Sequence, residues 1–514
     1  MSGCPTGIKI DSLSSWSSMN SFDMEGLDPE RRDFESRVQY QELSQFPNSR
    51  PSSQARSTIK ILPFTYSIYR KLKGPALVPP RLRPFQVLIL YALDAWFIVT
   101  ALIAFVAIFI PSYTYLPPHY ASLRQAAFQS KVPGRGNPHQ ESVFIAASLY
   151  DRDGSLADGE WGRAVLGLID LLGKENVFLS VYENDSGPAG KHALKILESQ
   201  VTCNKSMVFD EHVDLKGLPS VIVPGGAERV KRIDYLAEVR NRALKPLYET
   251  SDKHYDKLLI LNDVVFDPVD AVNLLFSTNI SEEGKAQYRA ACAVDFDNPF
   301  KFYDTFATRD LQGYSMGVPF FPWFSTAGNG ESRKDVISQK DAVRVRSCWG
   351  GMVAFDAKPF QDGESPARFR SGKDMFWEGS ECCLIHADIQ DPVPDVDSIS
   401  DTGIYMNPYV RVAYDSSTLS WLRLSRRFER LYPFAQTLVN HIAGLPFLNP
   451  RRTEVAGQLV NQTVWEGTGD GGSFRSVSRA ADNDGFCFRR GLSVVVEHRE
   501  PGQKGWEHIP VPRS

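Results

Sequence analysis

The chain has no excess of basic charge: 57 Lys and Arg stand against 61 Asp and Glu, for a formal net charge of -4. The broad positive field that draws nucleic acid is therefore missing, and no nucleic-acid partner is expected. Cysteine is scarce, with seven in 514 residues. Cys382 and Cys383 are adjacent but lack the second ligand pair of a zinc site, which leaves a structural disulfide as their expected use. The first 84 residues lack regular apolar periodicity; they are Ser- and Pro-rich, as in Ser12 to Ser18 and Ser49 to Ser57, and read as a disordered tail. The long apolar run begins about 85 residues in and exceeds a signal-peptide core in length, so an anchor is expected in preference to a cleaved leader.

That run, Phe85 to Ile110, is apolar apart from Gln86, Asp94 and Thr100. As a helix it would measure about 39 Å, against the roughly 30 Å of a bilayer core, so it can slide to bring Asp94 toward an interface. Arg70, Lys71, Lys73, Arg81 and Arg83 precede it, whereas the next basic residues after it are Arg124 and Lys131. This bias predicts a single-pass type II protein anchored in a lipid bilayer, with residues 1–84 cytosolic, 85–110 as the signal anchor, and the remainder luminal in the Golgi or ER. The sequons at Asn184, Asn204, Asn279 and Asn461 and six of the seven cysteines fall on the luminal side. Asn184 stands too near the candidate site to be an expected acceptor.

Residues 111–140 are rich in Pro and Gly and read as a stem. Residues 141–455 read as the globular domain and 456–514 as a polar tail. Within the domain, strand-like runs at Ser142 to Leu149, Val177 to Tyr182, Ser220 to Val223 and Lys257 to Leu261 alternate with helical patterns at Arg163 to Leu172, Lys191 to Ser199, Val230 to Leu244 and Val269 to Phe276. Four such pairs predict an α/β fold, a mainly parallel Rossmann-like sheet with helices on both faces. Ligands of these sheets bind beyond the carboxyl ends of the strands. There the chain is acidic or polar: Asp151-Arg-Asp153, Glu183-Asn-Asp185 and Asn262-Asp263.

Asp263 ends a buried strand, where it can ligate a hard cation or cap the next helix. The next strand ends in Asp295-Phe-Asp297, whose acidic side chains share one side of an extended segment. On the helix through RIDYLAEVRNRAL, Arg240 falls on the apolar stripe and needs an anion, either an internal carboxylate or, together with Asn241 and Arg242, a bound diphosphate. Tyr182, Glu183 and Asp185 at a neighbouring strand tip are candidates for a base and ribose pocket. Trp349 with Gly350 and Gly351 offers either a sugar-stacking face or a tight turn around a core indole. Glu378 and Glu381 stand close to an apolar segment, read as a strand, that carries His386. A glutamate there can face a reacting carbon, and His386 can either join a metal sphere or sit satisfied in the core.

The stretches VFLSVYENDSG, RIDYLAEVRNRALKPL, LLILNDVVFDP, ACAVDFDNPFKFYDTFATRDLQG, VRVRSCWGGMVAFDAKPF, SECCLIHADI and NPYVRVAYD resemble the fungal α-1,3-mannosyltransferases of glycosyltransferase family 69, the cryptococcal mannosyltransferase and capsule-associated protein group. The resemblance runs from about Val143 to Arg452. It implies a GT-A fold behind one anchor, GDP-mannose as donor, a mannose-containing glycan as acceptor and α-1,3 transfer with retention. By analogy with GT-A enzymes the metal motif falls at the end of LLILND, where Leu261 replaces the first aspartate. On this reading a Mn2+-like ion is held by Asp263, with Asp295 and His386 as further ligands; Arg240 and Arg242 face the phosphates, and Glu381, Glu378 or Asp295 serves the chemistry. The missing aspartate also admits an inactive subunit that organises a polysaccharide-synthesis complex, and a metal-dependent phosphotransferase or hydrolase on the same sheet is a third reading.

Overall fold

The computed structural model describes residues 84–249, 253–363, 365–393, 399–467, 472–497 and 504–512. The tail expected over residues 1–84 lies, but for Pro84, outside them.

Two helices come first, α1 (Pro84–Phe109) and α2 (Pro118–Gln129). The alternating part follows as β1 (Val143–Leu149), α3 (Glu160–Leu172), β2 (Val177–Asn184), α4 (Gly187–Gln200) and β3 (Asn204–Asp210). A small hairpin, β4 (Ser220–Ile222) and β5 (Glu228–Val230), leads into α5 (Arg232–Glu249), β6 (Lys257–Leu261) and α6 (Pro268–Ser277). The second half contains β7 (Ala290–Asn298), β8 (Lys301–Phe302), β9 (Arg309–Asp310), α7 (Glu331–Ile337), β10 (Val343–Ser347), β11 (Met352–Asp356), α8 (Lys358–Gln361), β12 (Trp377–Gly379), α9 (Glu381–Ile389) and β13 (Ile404–Ala413). It closes with α10 (Ser416–Ser425), α11 (Tyr432–Ala443), the hairpin β14 (Leu459–Glu466) and β15 (Ser473–Ala480), and the short strands β16 (Phe488–Arg490), β17 (Ser493–Val495) and β18 (Trp506–His508).

A ten-stranded sheet runs in the order β3-β2-β1-β6-β11-β7-β13-β10-β9, with β8 beside β7. Strands β3, β2, β1 and β6 are parallel, β11 is antiparallel to both β6 and β7, and β13 is parallel to β7. The carboxyl ends of β1, β2, β6 and β7 therefore share one rim. The central strands are buried on both faces, and alternate residues enter different cores: Leu258 and Ile260 face α5, whereas Leu259 and Leu261 face α3 and α6. Gly173 ends α3 at φ 85 and donates its N–H to Ile169 O, as a C-cap glycine should.

The α/β class is as expected, but the sheet is mixed and not mainly parallel, since β8, β9, β10 and β11 run antiparallel to the strands they pair with; four further corrections concern details. Ser220–Ile222 pairs with β5 outside the main sheet, and the third parallel strand is β3, whose mixed polar pattern NKSMVFD hides it because it is an edge. The segment carrying His386 is helix α9 and no strand; Ser380 caps it, its hydroxyl accepting from Cys382 N at 3.2 Å. The stretch 111–140 is no free spacer. Tyr113 and Tyr120 are fully buried, and the Tyr113 hydroxyl donates to Val336 O at 3.0 Å. The segment beyond residue 455 is no appendage: β16 pairs with β12, and Cys487 is disulfide-bonded to Cys383. Cys292–Cys348 is the second disulfide, while Cys203 and Cys382 are free and buried.

Helix α1 includes a 19-residue stretch, Tyr91–Phe109, long and apolar enough to cross a membrane. Most of its large side chains are exposed, as those of a lipid-facing helix are.

Candidate active site

A cleft opens at the carboxyl rim of the sheet between α5 and the start of α9. Its walls include Asn184, Arg232, Tyr235, Arg240, Asn262, Asp263, Asp304, Trp349 and Glu381. Arg232, Leu236 and Arg240 recur every four residues, so one face of α5 turns both guanidinium groups into the cleft.

Arg240 is held on three sides. Its Nε donates to Glu381 Oε1 at 3.0 Å, its Nη1 donates to Asn262 Oδ1 at 3.2 Å, and its guanidinium carbon stands 4.5 Å from the centre of the Trp349 ring. The expected internal carboxylate is thus Glu381, the first residue of α9. Arg232 is also buried, yet its Nε and Nη1 have no hydrogen-bond partner. Burial pulls its pKa below the usual arginine value, against the opposing charges of Glu381 and Glu378. Two cations on one helix face, one of them unbonded at two nitrogens, are a donor set that a dianionic or polyanionic group could satisfy.

Carboxylates share the cleft with them. Asp263 follows β6, makes no ion pair among the described residues, and has its pKa raised by desolvation and the nearby Asp151, with Arg240 pulling the other way. It is not a helix cap, since Asp267 caps α6 by accepting from Val269 N at 3.0 Å. Asp304, which sequence reasoning passed over, is buried in the cleft wall. Its Oδ1 accepts from Ala307 N at 3.0 Å, and its Oδ2 has no partner.

Asp295 stands behind this wall and does not line the cleft. It accepts from Asp304 N at 3.1 Å and from the Tyr414 hydroxyl at 3.1 Å, and burial beside Asp304 raises its pKa. Its neighbour Asp297 pairs with Lys301 at 2.5 Å.

Other expected site residues are placed elsewhere. Arg242, two positions from Arg240, points to a different side of α5 and bonds Glu238, Tyr182 and Asp210 at 2.8, 2.8 and 3.2 Å. Tyr182 donates to Asp210 Oδ2 at 2.7 Å, and Asn241 clamps the backbone of Phe369 from both its amide nitrogen and its oxygen. Glu183 is buried with neither carboxylate oxygen hydrogen-bonded, and burial lifts its pKa to about 7. Asp185, at φ 60, is engaged by His212 at 2.7 Å, so the cleft side of that strand tip is presented by Asn184 and Tyr235, bonded to each other at 2.7 Å.

Glu378 faces the C-terminal segment, accepting from Ser493 N at 3.1 Å, and is outside the cleft. His386 is fully buried, bonds Cys382 O at 2.6 Å, and has its pKa depressed to about 4 by desolvation. Its neighbours Cys292 and Cys348 are joined in a disulfide and supply no thiolate, so His386 is a satisfied core residue. Gly350 and Gly351 are the tight turn of the two readings: a Cβ on Gly350 would sit 2.0 Å from Ala293 O, and one on Gly351 2.6 Å from Val264 Cγ1. Of that trio only Trp349 reaches the cleft.

An α/β sheet with paired cations and carboxylates at its carboxyl rim defines a domain of the kind that binds nucleotide ligands. Residues 142–388 match the family described as Cryptococcal mannosyltransferase 1. A curated relative, the alpha-1,3-mannosyltransferase CMT1 of Cryptococcus neoformans var. neoformans serotype D, is 26% identical over 242 residues, covering 43% of this chain and 48% of the relative. The resemblance to the cryptococcal mannosyltransferase family is thereby borne out, and the chain spans about half the length of the curated relative it matches. Similar solved structures are the mannosyltransferase PcManGT from Pyrobaculum calidifontis in complex with GDP-Man and Mn2+, at 9% identity and TM-score 0.31 over 68% of this chain and 87% of that one, and glucosyl-3-phosphoglycerate synthase from Mycobacterium tuberculosis with Mg2+ and UDP, at 12% identity and TM-score 0.29 over 72% and 97%.

Proposed function

We propose that this GT-A-type domain is a mannosyltransferase that moves mannose from GDP-mannose to a mannose-containing glycan, with α-1,3 linkage and retention, on the luminal side of a Golgi or ER membrane. The observation that carries the reading is the pair Arg232 and Arg240: two buried guanidinium groups on one helix face, one of them without a hydrogen bond at two of its nitrogens, in a cleft at the carboxyl rim of the sheet's parallel strands. A nucleoside diphosphate supplies the anion that such a pair needs.

The carboxylates fit a divalent cation. The unpartnered Oδ2 of Asp304 and the ion-pair-free Asp263 are hard oxygen donors lining the one cleft, and we put them in place of the set of Asp263, Asp295 and His386. Bound there, a Mn2+-like ion would neutralise charge on the leaving diphosphate. Arg232 and Arg240 hold and orient that diphosphate, and Asn184 and Tyr235 close the base and ribose end. Glu381, fixed by Arg240, presents a carboxylate toward the reacting sugar, where positive charge develops in the transition state. Trp349 lies beneath Arg240 and keeps water from that side.

The test is an assay of the full-length chain in detergent with GDP-mannose, mannoside acceptors and Mn2+. Acceptor-dependent GDP release, lost in a folded Asp263→Asn variant, is expected. GDP-mannose binding without turnover on any acceptor would favour the organising-subunit reading, to which Leu261 in the metal motif points.

A further inference from the structure

Helix α11 is amphipathic in the sense opposite to that of a soluble domain. Gln436 and Asn440, one turn apart, face inward: Gln436 is 0% exposed and is bonded by Arg333, and Asn440 Oδ1 accepts from Val318 N at 2.7 Å. Phe434, Leu438 and Ile442, also spaced by four, face outward, with Phe434 83% and Ile442 64% exposed. On the neighbouring α10, Trp421 and Leu424 are exposed as well. An outward row of large apolar side chains of this kind marks a contact surface.

Its position says what it touches. The turn joining α10 to α11, Arg426–Leu431, is packed on the C-terminal end of α1. There Arg427 Nη1 donates to Ala107 O at 3.2 Å, Arg426 Nη1 donates to Tyr113 O at 3.1 Å, and Val106 and Ala107 are buried while their neighbours on α1 are exposed. The apolar span ends at Phe109, so this turn stands where the span leaves the bilayer. Arg423, just before this turn, and Arg430, within it, are exposed.

We infer that α10 and α11 lie in the membrane interface beside α1, with Trp421, Phe434, Leu438 and Ile442 among the acyl chains and the arginines at headgroup phosphates. The occupant is the bilayer that α1 spans. The domain is then held against the membrane at two places instead of being raised on a stem. The inference rests on α1 as a transmembrane helix and is independent of the sugar-transfer reading.

The experiment uses the full-length chain with Cys4→Ser, one copy per phosphatidylcholine nanodisc, carrying a bimane label at Leu438→Cys, at Ile442→Cys, at Leu102→Cys within α1, or at Ile222→Cys in the β4–β5 hairpin. Doxyl-labelled lipid is expected to quench the labels at 438, 442 and 102 at least twofold and to spare 222; aqueous iodide is expected to quench 222 at least threefold more than 438. Iodide quenching at 438 and 442 equal to that at 222, with no doxyl effect, would mean the face is in water and would overturn the proposal. Shielding from both quenchers would mean that protein covers it, and would overturn it equally. Loss of doxyl quenching at 102 would remove the transmembrane helix on which the inference stands.

Discussion

Arg240 Nε and Glu381 Oε1 are joined at 3.0 Å across 141 positions of sequence, and this single contact ties α5 to the first turn of α9 within the cleft. Both side chains are nearly buried, so neither charge is tolerated without the other. The pair explains why two segments that are separate in the chain must act as one site.

Separating charge from shape tests that pair. Glu381→Gln keeps an oxygen for Arg240 and removes the negative charge, so kcat is expected to fall 100-fold or more, and Tm to fall as well because Arg240 stays buried without its counter-charge. Arg240→Ala leaves Glu381 buried and uncompensated, at a cost of about 3 to 5 kcal/mol. Kinetics and thermal unfolding of both variants check this. Equal kcat in wild type and Glu381→Gln would remove Glu381 from the chemistry.

Arg232 leads to the opposite balance of function and stability. It is a buried cation with two nitrogens unbonded, a strained arrangement that ligand binding would relieve. Arg232→Met is therefore expected to leave Tm unchanged or raise it, while weakening GDP binding tenfold or more. Isothermal titration with GDP and a melting curve give both readouts. A lower Tm with unaltered GDP affinity would make Arg232 a structural residue.

What the sequence disclosed follows from periodicity. β1, β2, β6, α3 and α6 were legible within a few residues because their apolar patterns are long and their strands are buried on both faces. Arg240, Asp263, Glu381 and Trp349 stood out as charge or indole on apolar surroundings, and all four meet in the cleft. Arg232 carried the same signal, eight residues before Arg240, but it sits at the helix start, where an arginine reads as a solvated end. Asp304 gave no local signal, because its importance comes from burial by segments distant in sequence. The misreading of the segment around His386 has a local origin: CCLIHADI is apolar at all but His386 and Asp388, and so short an apolar run cannot be told from a strand by periodicity alone.

The sequons report on sidedness. Asn204, on the edge strand β3, and Asn461, on the β14–β15 hairpin, are exposed, whereas Asn184 is buried in the cleft wall. In a luminal domain, endoglycosidase treatment is expected to shift the mobility of the full-length chain, and the shift is expected to shrink with Asn204→Gln and Asn461→Gln and to be unaffected by Asn184→Gln. A chain with no glycan at either exposed site would place the domain on the cytosolic side.

Glu183 makes stability fall as pH rises. Its carboxyl is buried beneath the start of α4, near Asp151, with no hydrogen bond at either oxygen, and burial lifts its pKa to about 7 from an ordinary value near 4.5. The folded state thus holds a proton that the unfolded chain releases, so this group's contribution is fully present below about pH 4.5 and lost through pH 7. The raised pKa corresponds to an upper bound of about 3 kcal/mol. Glu183→Gln keeps the neutral shape at every pH. It is expected to match the wild type near pH 5 and to exceed it by about 1 to 3 kcal/mol at pH 8, as read from urea unfolding at the two pH values; identical pH profiles would mean that Glu183 is ionised in the folded protein and finds its compensation elsewhere.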